Sequence, residues 1–161
     1  MEDVVLLKKE IRRKMWKIME ERNVARFPRP VFNRIPNFEG ADEAAHRLQE
    51  LQVFQDARIL KVNPDSPQKP IRESVLSSGK MLVTPAPRLK SGFLLLNPNS
   101  IPKSAFGYAS TIKGAFEYGK QIDLIDLPKV DLIIVGSVAV SLDGARIGKG
   151  GGYSEIECGI L

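Results

Sequence analysis

The segment best equipped for chemistry is Arg146-Ile147-Gly148-Lys149-Gly150-Gly151-Gly152-Tyr153-Ser154-Glu155. Four of the five positions 148–152 are glycine. A backbone without Cβ atoms lets its amides approach an anion closely. Arg146 and Lys149 add positive charge to the same stretch. Residues from Tyr153 onward can start a helix, whose N-terminus favours phosphate. A turn at Asp143-Gly144 precedes the loop. Strand, glycine loop and helix is the layout of a phosphate site at the carboxyl end of a sheet. The loop is not a Walker A sequence, because Gly150 follows Lys149 where serine or threonine is required. Nor is it the dinucleotide fingerprint, because Tyr153 holds the third glycine position. The plain alternative is a flexible strand-to-helix connection.

A second basic element lies at the other end of the chain. Positions 1–34 carry ten basic residues against five acidic ones, which accounts for the whole net charge of +5. Beyond them, 14 basic residues balance 14 acidic ones. A concentrated basic segment suits an anionic partner such as a nucleotide, polyglutamate, nucleic acid or phospholipid, and otherwise a solvated helix face. Val4, Leu7, Ile11, Met15 and Ile18 recur at helical spacing, widened by Trp16 and Met19, and predict a helix over 3–22. Lys8 and Arg12 then share one face, as do Lys9 and Arg13.

The elements between must hold these two ends together. Pro28, Pro30 and Pro36 make a loop. Residues 41–51 read as a helix with Ala44, Ala45 and Leu48 inward. Strands are expected at 57–62, 81–83 (stopped by Pro85 and Pro87), 93–96 and 131–141. The run Leu132-Ile133-Ile134-Val135 is continuous rather than alternating, which predicts burial on both faces. Helices are expected from Pro70 to Leu76, closed by Ser78-Gly79, and over 110–118. Strands separated by helices imply a layered α/β fold with a mainly parallel sheet, in one domain over 1–161. At 161 residues with 43% hydrophobic content, the chain can bury a core and is not a disordered polyelectrolyte. One cysteine excludes a disulfide scaffold. No apolar run is long enough for a membrane span, and the acidic start is unlike a secretory signal, so a cytoplasmic location is expected.

The loop Arg146 to Tyr153 resembles the nucleotide loop of the 5-formyltetrahydrofolate cyclo-ligase family, whose pattern is Arg-Leu-Gly-Arg/Lys-Gly-Gly-Gly-Tyr-Tyr-Asp. That family also carries Lys-x-x-x-Arg on its first helix, and Lys8 and Arg12 resemble that element. Gly79-Lys80-Met81-Leu82-Val83-Thr84-Pro85-Ala86-Pro87-Arg88 is similar to its strand after a Gly-Lys turn. The segments 61–73, 82–92 and 130–141 look closer to the divergent methenyltetrahydrofolate synthetase domain-containing branch. The resemblance implies a three-layer α/β/α fold of the NagB, ribose-5-phosphate isomerase and CoA-transferase type. It implies ATP- and magnesium-dependent closure of 5-formyltetrahydrofolate to 5,10-methenyltetrahydrofolate, a ligase reaction of one-carbon metabolism.

On that reading Arg146 and Lys149 act at the chemistry. Lys8, Arg12, Gly148, Gly150, Gly151, Gly152 and Tyr153 bind the nucleotide, and Glu155 holds magnesium. The family's Tyr-Tyr-Asp is Tyr153-Ser154-Glu155 here, and 61–67 replaces its usual Glu-x-Asp/Glu-Thr. Members usually continue for a helix and further strands, so the domain is expected to be incomplete at its C-terminus. The alternative is a non-catalytic nucleotide- or RNA-associated module derived from that enzyme. Of the remaining chemistry-bearing types, His46 reads as a surface residue, Cys158 as a small buried hydrophobe, Trp16 as core and Asp143 as a turn residue. A lone histidine and a lone cysteine argue against a zinc site or a Cys-His pair.

Overall fold

The structure is a computed structural model and describes residues 2–86 and 92–161. The expected strand stop at Pro87 and the family-like Arg88 lie outside the described residues. Helix α1 spans Glu2–Glu21, as its spacing predicts. Its apolar stripe is used only in part. Trp16 is buried in a small cluster with Ala25, Val31, Ile35 and Val138, backed by Met15 and Met19. Val4 and Leu7, expected inward, remain 54% and 55% exposed. Periodicity selects a helix but not the length of its partner surface, and among the described residues nothing covers the first two turns.

Helices α2 (Ala41–Gln49) and α3 (Gln52–Asp56) lead into strand β1 (Ile59–Val62). On α2, Ala45 is buried and Leu48 half-buried, but Ala44 faces solvent. Helix α4 (Lys69–Ser77) has Pro70 in its first turn, where a missing N–H costs nothing. It ends through Ser78 at Gly79, which takes a positive φ of 72°. Strand β2 (Met81–Pro85) runs two residues past its expected end at Val83 and takes in Pro85, the expected stop, which instead pairs with Phe93. Strand β3 (Phe93–Leu96), helices α5 (Phe106–Ala109) and α6 (Ile112–Tyr118), and strand β4 (Lys120–Ile122) follow. Thr111 caps α6 by accepting from Gly114 N at 3.0 Å.

The sheet order is β4-β3-β2-β1-β5, with β5 at Leu132–Ile134. Strand β1 is parallel to both β2 and β5, whereas β3 is antiparallel to both of its neighbours. The sheet is therefore mainly parallel, with β3 the exception. Strand alternation gives each face its own cover. Leu60, Val62, Leu82, Leu94 and Leu96 join Val75, Leu76, Phe106 and Ala115 from the helices in the main core. On the opposite face Val83 and Phe93 pack with Leu127 and Val130, and the last helix, α7 (Tyr153–Ile160), meets Lys61 of β1. The result is a three-layer α/β/α arrangement.

The expected long strand over 131–141 is divided. Leu132, Ile133 and Ile134 are only half-buried, because β5 is the end strand of this sheet and pairs on one side. The chain then leaves the sheet at Gly136, where an added Cβ would lie 2.6 Å from Ile35 and 2.7 Å from Gln68 Oε1. It forms a separate ribbon of β6 (Ala139–Val140) and β7 (Arg146–Ile147), turned through Asp143-Gly144 as expected.

Asp131 fixes the start of β5 against β1. Its Oδ2 accepts from Arg58 N at 2.8 Å and Ile59 N at 2.9 Å. These bonds favour the carboxylate and hold its pKa below the ordinary value. A depressed folded-state pKa contributes stability above the unfolded value of about 3.9, and loses it as pH falls through the folded one. Asp131→Asn is therefore expected to lower Tm at neutral pH. The deficit relative to the unaltered chain should shrink to nothing in thermal scans well below pH ~4.

Candidate functional site

A cleft of about 730 Å³ opens at the carboxyl ends of β1 and β2. This is where ligands bind in open parallel sheets. Residues after β1 (Asn63, Pro64, Asp65, Ser66) and at the end of β2 (Pro85, Ala86) form one wall. The basic face of α1 forms another, and the glycine loop with the start of α7 the third. All ten residues singled out from the sequence line it: Lys8, Arg12, Arg146, Gly148, Lys149, Gly150, Gly151, Gly152, Tyr153 and Glu155. The loop enters from β7 of the small ribbon, not from the central sheet as the sequence suggested.

Direct bonds hold the two ends of the chain together. Arg12 Nε donates to Gly148 O at 2.7 Å, across 136 residues. Gly150 packs on the same guanidinium, with an ideal Cβ 3.4 Å from Arg12 Cζ, and its φ of 103° is a glycine conformation. Gly152 caps α7 at φ 70°. Among the described residues no backbone amide of 148–152 donates to another protein group. Their N–H groups are therefore available to solvent or a ligand.

Arg146 is oriented by three acceptors. Its Nε donates to Ser137 Oγ at 3.2 Å, its Nη2 to Gly136 O at 3.3 Å, and its Nη1 to Glu155 Oε1 at 3.0 Å. The pKa of Glu155 lies below the ordinary carboxylate value, chiefly through its own backbone N–H, with Arg146 and Lys8 contributing. Its second oxygen has no protein partner among the described residues. Lys149 Nζ donates to Asp65 Oδ1 at 3.1 Å, which ties the loop to the chain after β1. Tyr153 is partly exposed at the helix start.

The sequence reading missed the floor. Lys61 of β1 is fully buried, and its Nζ donates to Asn63 Oδ1 at 3.0 Å and to Glu157 Oε2. Asn63 Nδ2 donates to the same Glu157 oxygen at 2.8 Å. Asn63 and Glu157 both line the cleft. The signal was a lysine inside a short apolar strand, since a buried lysine needs a partner. Beneath them Arg72 donates to the carbonyls of Asn63, Asp65 and Ser110 and so fixes the wall after β1. Burial pushes its pKa down to about 10, which leaves it protonated at neutral pH. Cys158, expected in the core, is exposed, because α7 turns Glu157 toward the sheet instead. His46 is exposed, as expected.

No helix among the described residues is long and apolar enough to cross a membrane. The sequence profile of the 5-formyltetrahydrofolate cyclo-ligase family matches residues 5–161. A methenyltetrahydrofolate synthase domain-containing protein of Bos taurus is 46% identical over 156 residues, covering 96% of this chain and 41% of that protein. The proteins of the same description from Mus musculus and Danio rerio are 44% and 41% identical, over 96% and 94% of this chain. They are covered to 42% and 40% of their own length, so the chain spans about two fifths of these relatives.

Proposed function

Because the chain belongs to the 5-formyltetrahydrofolate cyclo-ligase family, we propose that it closes 5-formyltetrahydrofolate to 5,10-methenyltetrahydrofolate with ATP and magnesium. The observation that carries this reading is the joining of α1 to the glycine loop through Arg12 and Gly148, which gathers Lys8, Arg12, Arg146 and Lys149 around free backbone amides. Phosphoryl transfer asks a protein for positioning and charge neutralisation rather than covalent chemistry. Four cations and a glycine loop supply both.

The formyl oxygen takes the terminal phosphoryl group of ATP, and N10 then displaces phosphate from the formyl carbon. ADP and phosphate leave, and N10 loses its proton. Lys8, Arg12 and Lys149 neutralise the phosphates, and the amides of 148–152 cradle them. Arg146, held at both ends of its guanidinium, stabilises the charge that develops as the phosphoryl group moves. Magnesium is usually held by one or two carboxylates together with substrate phosphates. The donor set fits that pattern, since Glu155 is kept ionised and has one oxygen free. Bound there, the ion would neutralise phosphate charge. Tyr153 offers a ring face to the heterocycle or base.

The test is the near-ultraviolet absorbance of the methenyl product, followed with 5-formyltetrahydrofolate, ATP and magnesium. An ATP-dependent rise supports the reading, and a folded chain that gives none refutes it. A second expectation concerns the loop alone. Gly150→Ala should weaken ADP affinity several-fold in calorimetric titration, because the new methyl meets a positive φ and the Arg12 guanidinium. Gly144→Ala, also at positive φ but with open space around it, should cost stability and leave ADP affinity unchanged.

A further inference from the structure

Glu157 is 3% exposed at the floor of the cleft, one turn of α7 below the glycine loop. Both of its protein partners, Lys61 and Asn63, use the same oxygen, Oε2. Among the described residues Oε1 has no hydrogen-bond partner, and Glu157 lines the cleft. The oxygen is therefore a rigid, charged acceptor open to the cleft. Phosphate would be repelled from it, so it belongs to the part of the ligand that carries no phosphate.

We propose that Glu157 Oε1 receives an N–H donor from the heterocycle of the substrate, its exocyclic 2-amino group, and that Lys61 and Asn63 are the positioning residues that hold it there. This rests on the folate reading above. The formyl-bearing ring must lie beside the phosphoryl group being transferred, and so near the loop from which α7 descends. A tetrahydropterin edge is rich in amino and ring N–H donors. Adenine, with its single amino group, lies at the far end of a triphosphate. Of the two Glu157 oxygens, one is without a partner among the described residues, so one donor is read here.

The test is binding rather than turnover, with 5-formyltetrahydrofolate and ADP titrated separately into the whole chain and into Glu157→Gln. The amide keeps an oxygen for Lys61 and turns an NH₂ toward the ligand donor. Folate affinity is expected to fall about 10–100-fold, the usual weight of one hydrogen bond to a charged group, with ADP affinity unchanged. The 2-desamino analogue, which lacks one such donor, supplies the readout that a structural role would not move. It should bind the unaltered chain more weakly than the parent folate and bind Glu157→Gln equally with it. Should Glu157→Gln fail to fold, Lys61→Met combined with Glu157→Leu keeps the floor filled and takes the same titrations. Unchanged folate affinity in a folded variant, a loss confined to ADP, or an equal loss of parent and analogue overturns the assignment while leaving the cyclo-ligase reading intact. An unaltered chain that binds ADP and no folate removes both.

Discussion

Arg146→Ala is expected to lower kcat/KM of the ATP-dependent closure by about 10²–10³, the usual consequence of removing one aimed donor from developing charge. Initial rates of methenyl formation at saturating and limiting ATP would measure it. The loss should fall mainly on kcat, because Lys8, Arg12 and Lys149 line the same cleft and, on the proposed reading, would still hold the phosphates. Removing Arg146 also frees Glu155 Oε1 and leaves Gly136 O and Ser137 Oγ without their donor. Arg146→Lys should recover little of the rate. An ammonium is a point charge and cannot span three acceptors as the planar guanidinium does. A lysine variant with near-normal kcat would show that charge alone matters at this position.

Glu157→Leu is expected to destabilise the fold by about 3–5 kcal/mol, because it strands the Lys61 ammonium in the interior. Lys61 has no exposed surface, and after the substitution only Asn63 Oδ1 remains among the described residues to receive it. Adding Lys61→Met should restore most of the lost stability, since buried ion pairs give little over well-packed apolar groups. Urea titrations of the two single variants and the double variant form the cycle. Additive losses would mean that the two side chains are not coupled. The double variant is expected to be stable and deficient in folate binding, which separates what the pair does for the fold from what Glu157 does for a ligand.

The two ends of the cleft were legible in the sequence for a chemical reason. Glycines at 148–152 and cations at Lys8, Arg12, Arg146 and Lys149 are residue types that a plain connection does not need. The α1 helix, the Pro70 helix start and the β1–β3 strands were legible from spacing and from proline. What was not legible depended on partners. The stripe on α1 looked uniform, but only its second half meets Ala25, Val31 and Ile35. The 131–141 run read as one buried strand because hydrophobicity does not reveal which strand ends a sheet. The break at Gly136 came from packing against Ile35 and Gln68, residues remote in sequence. Cys158 and Glu157 are neighbours on α7, and hydrophobicity chose the wrong one to bury. The deciding factor was Lys61, 96 residues away.

The bonds that close the cleft also set when it can come into existence. Arg12 waits for Gly148, Lys61 for Glu157 and Asp65 for Lys149, with separations of 136, 96 and 84 residues. The pairing of β1 with β2 and of β2 with β3 needs much shorter closures. On a ribosome those strands can pair while the glycine loop is still unmade, and α1 must hold its basic face open until the loop emerges. The cleft thus assembles after β1, β2 and β3 have paired. Contacts of such long sequence separation are the slow ones in folding. A ligand that bridges Arg12 and the loop would act on that later closure rather than on the pairing of the strands.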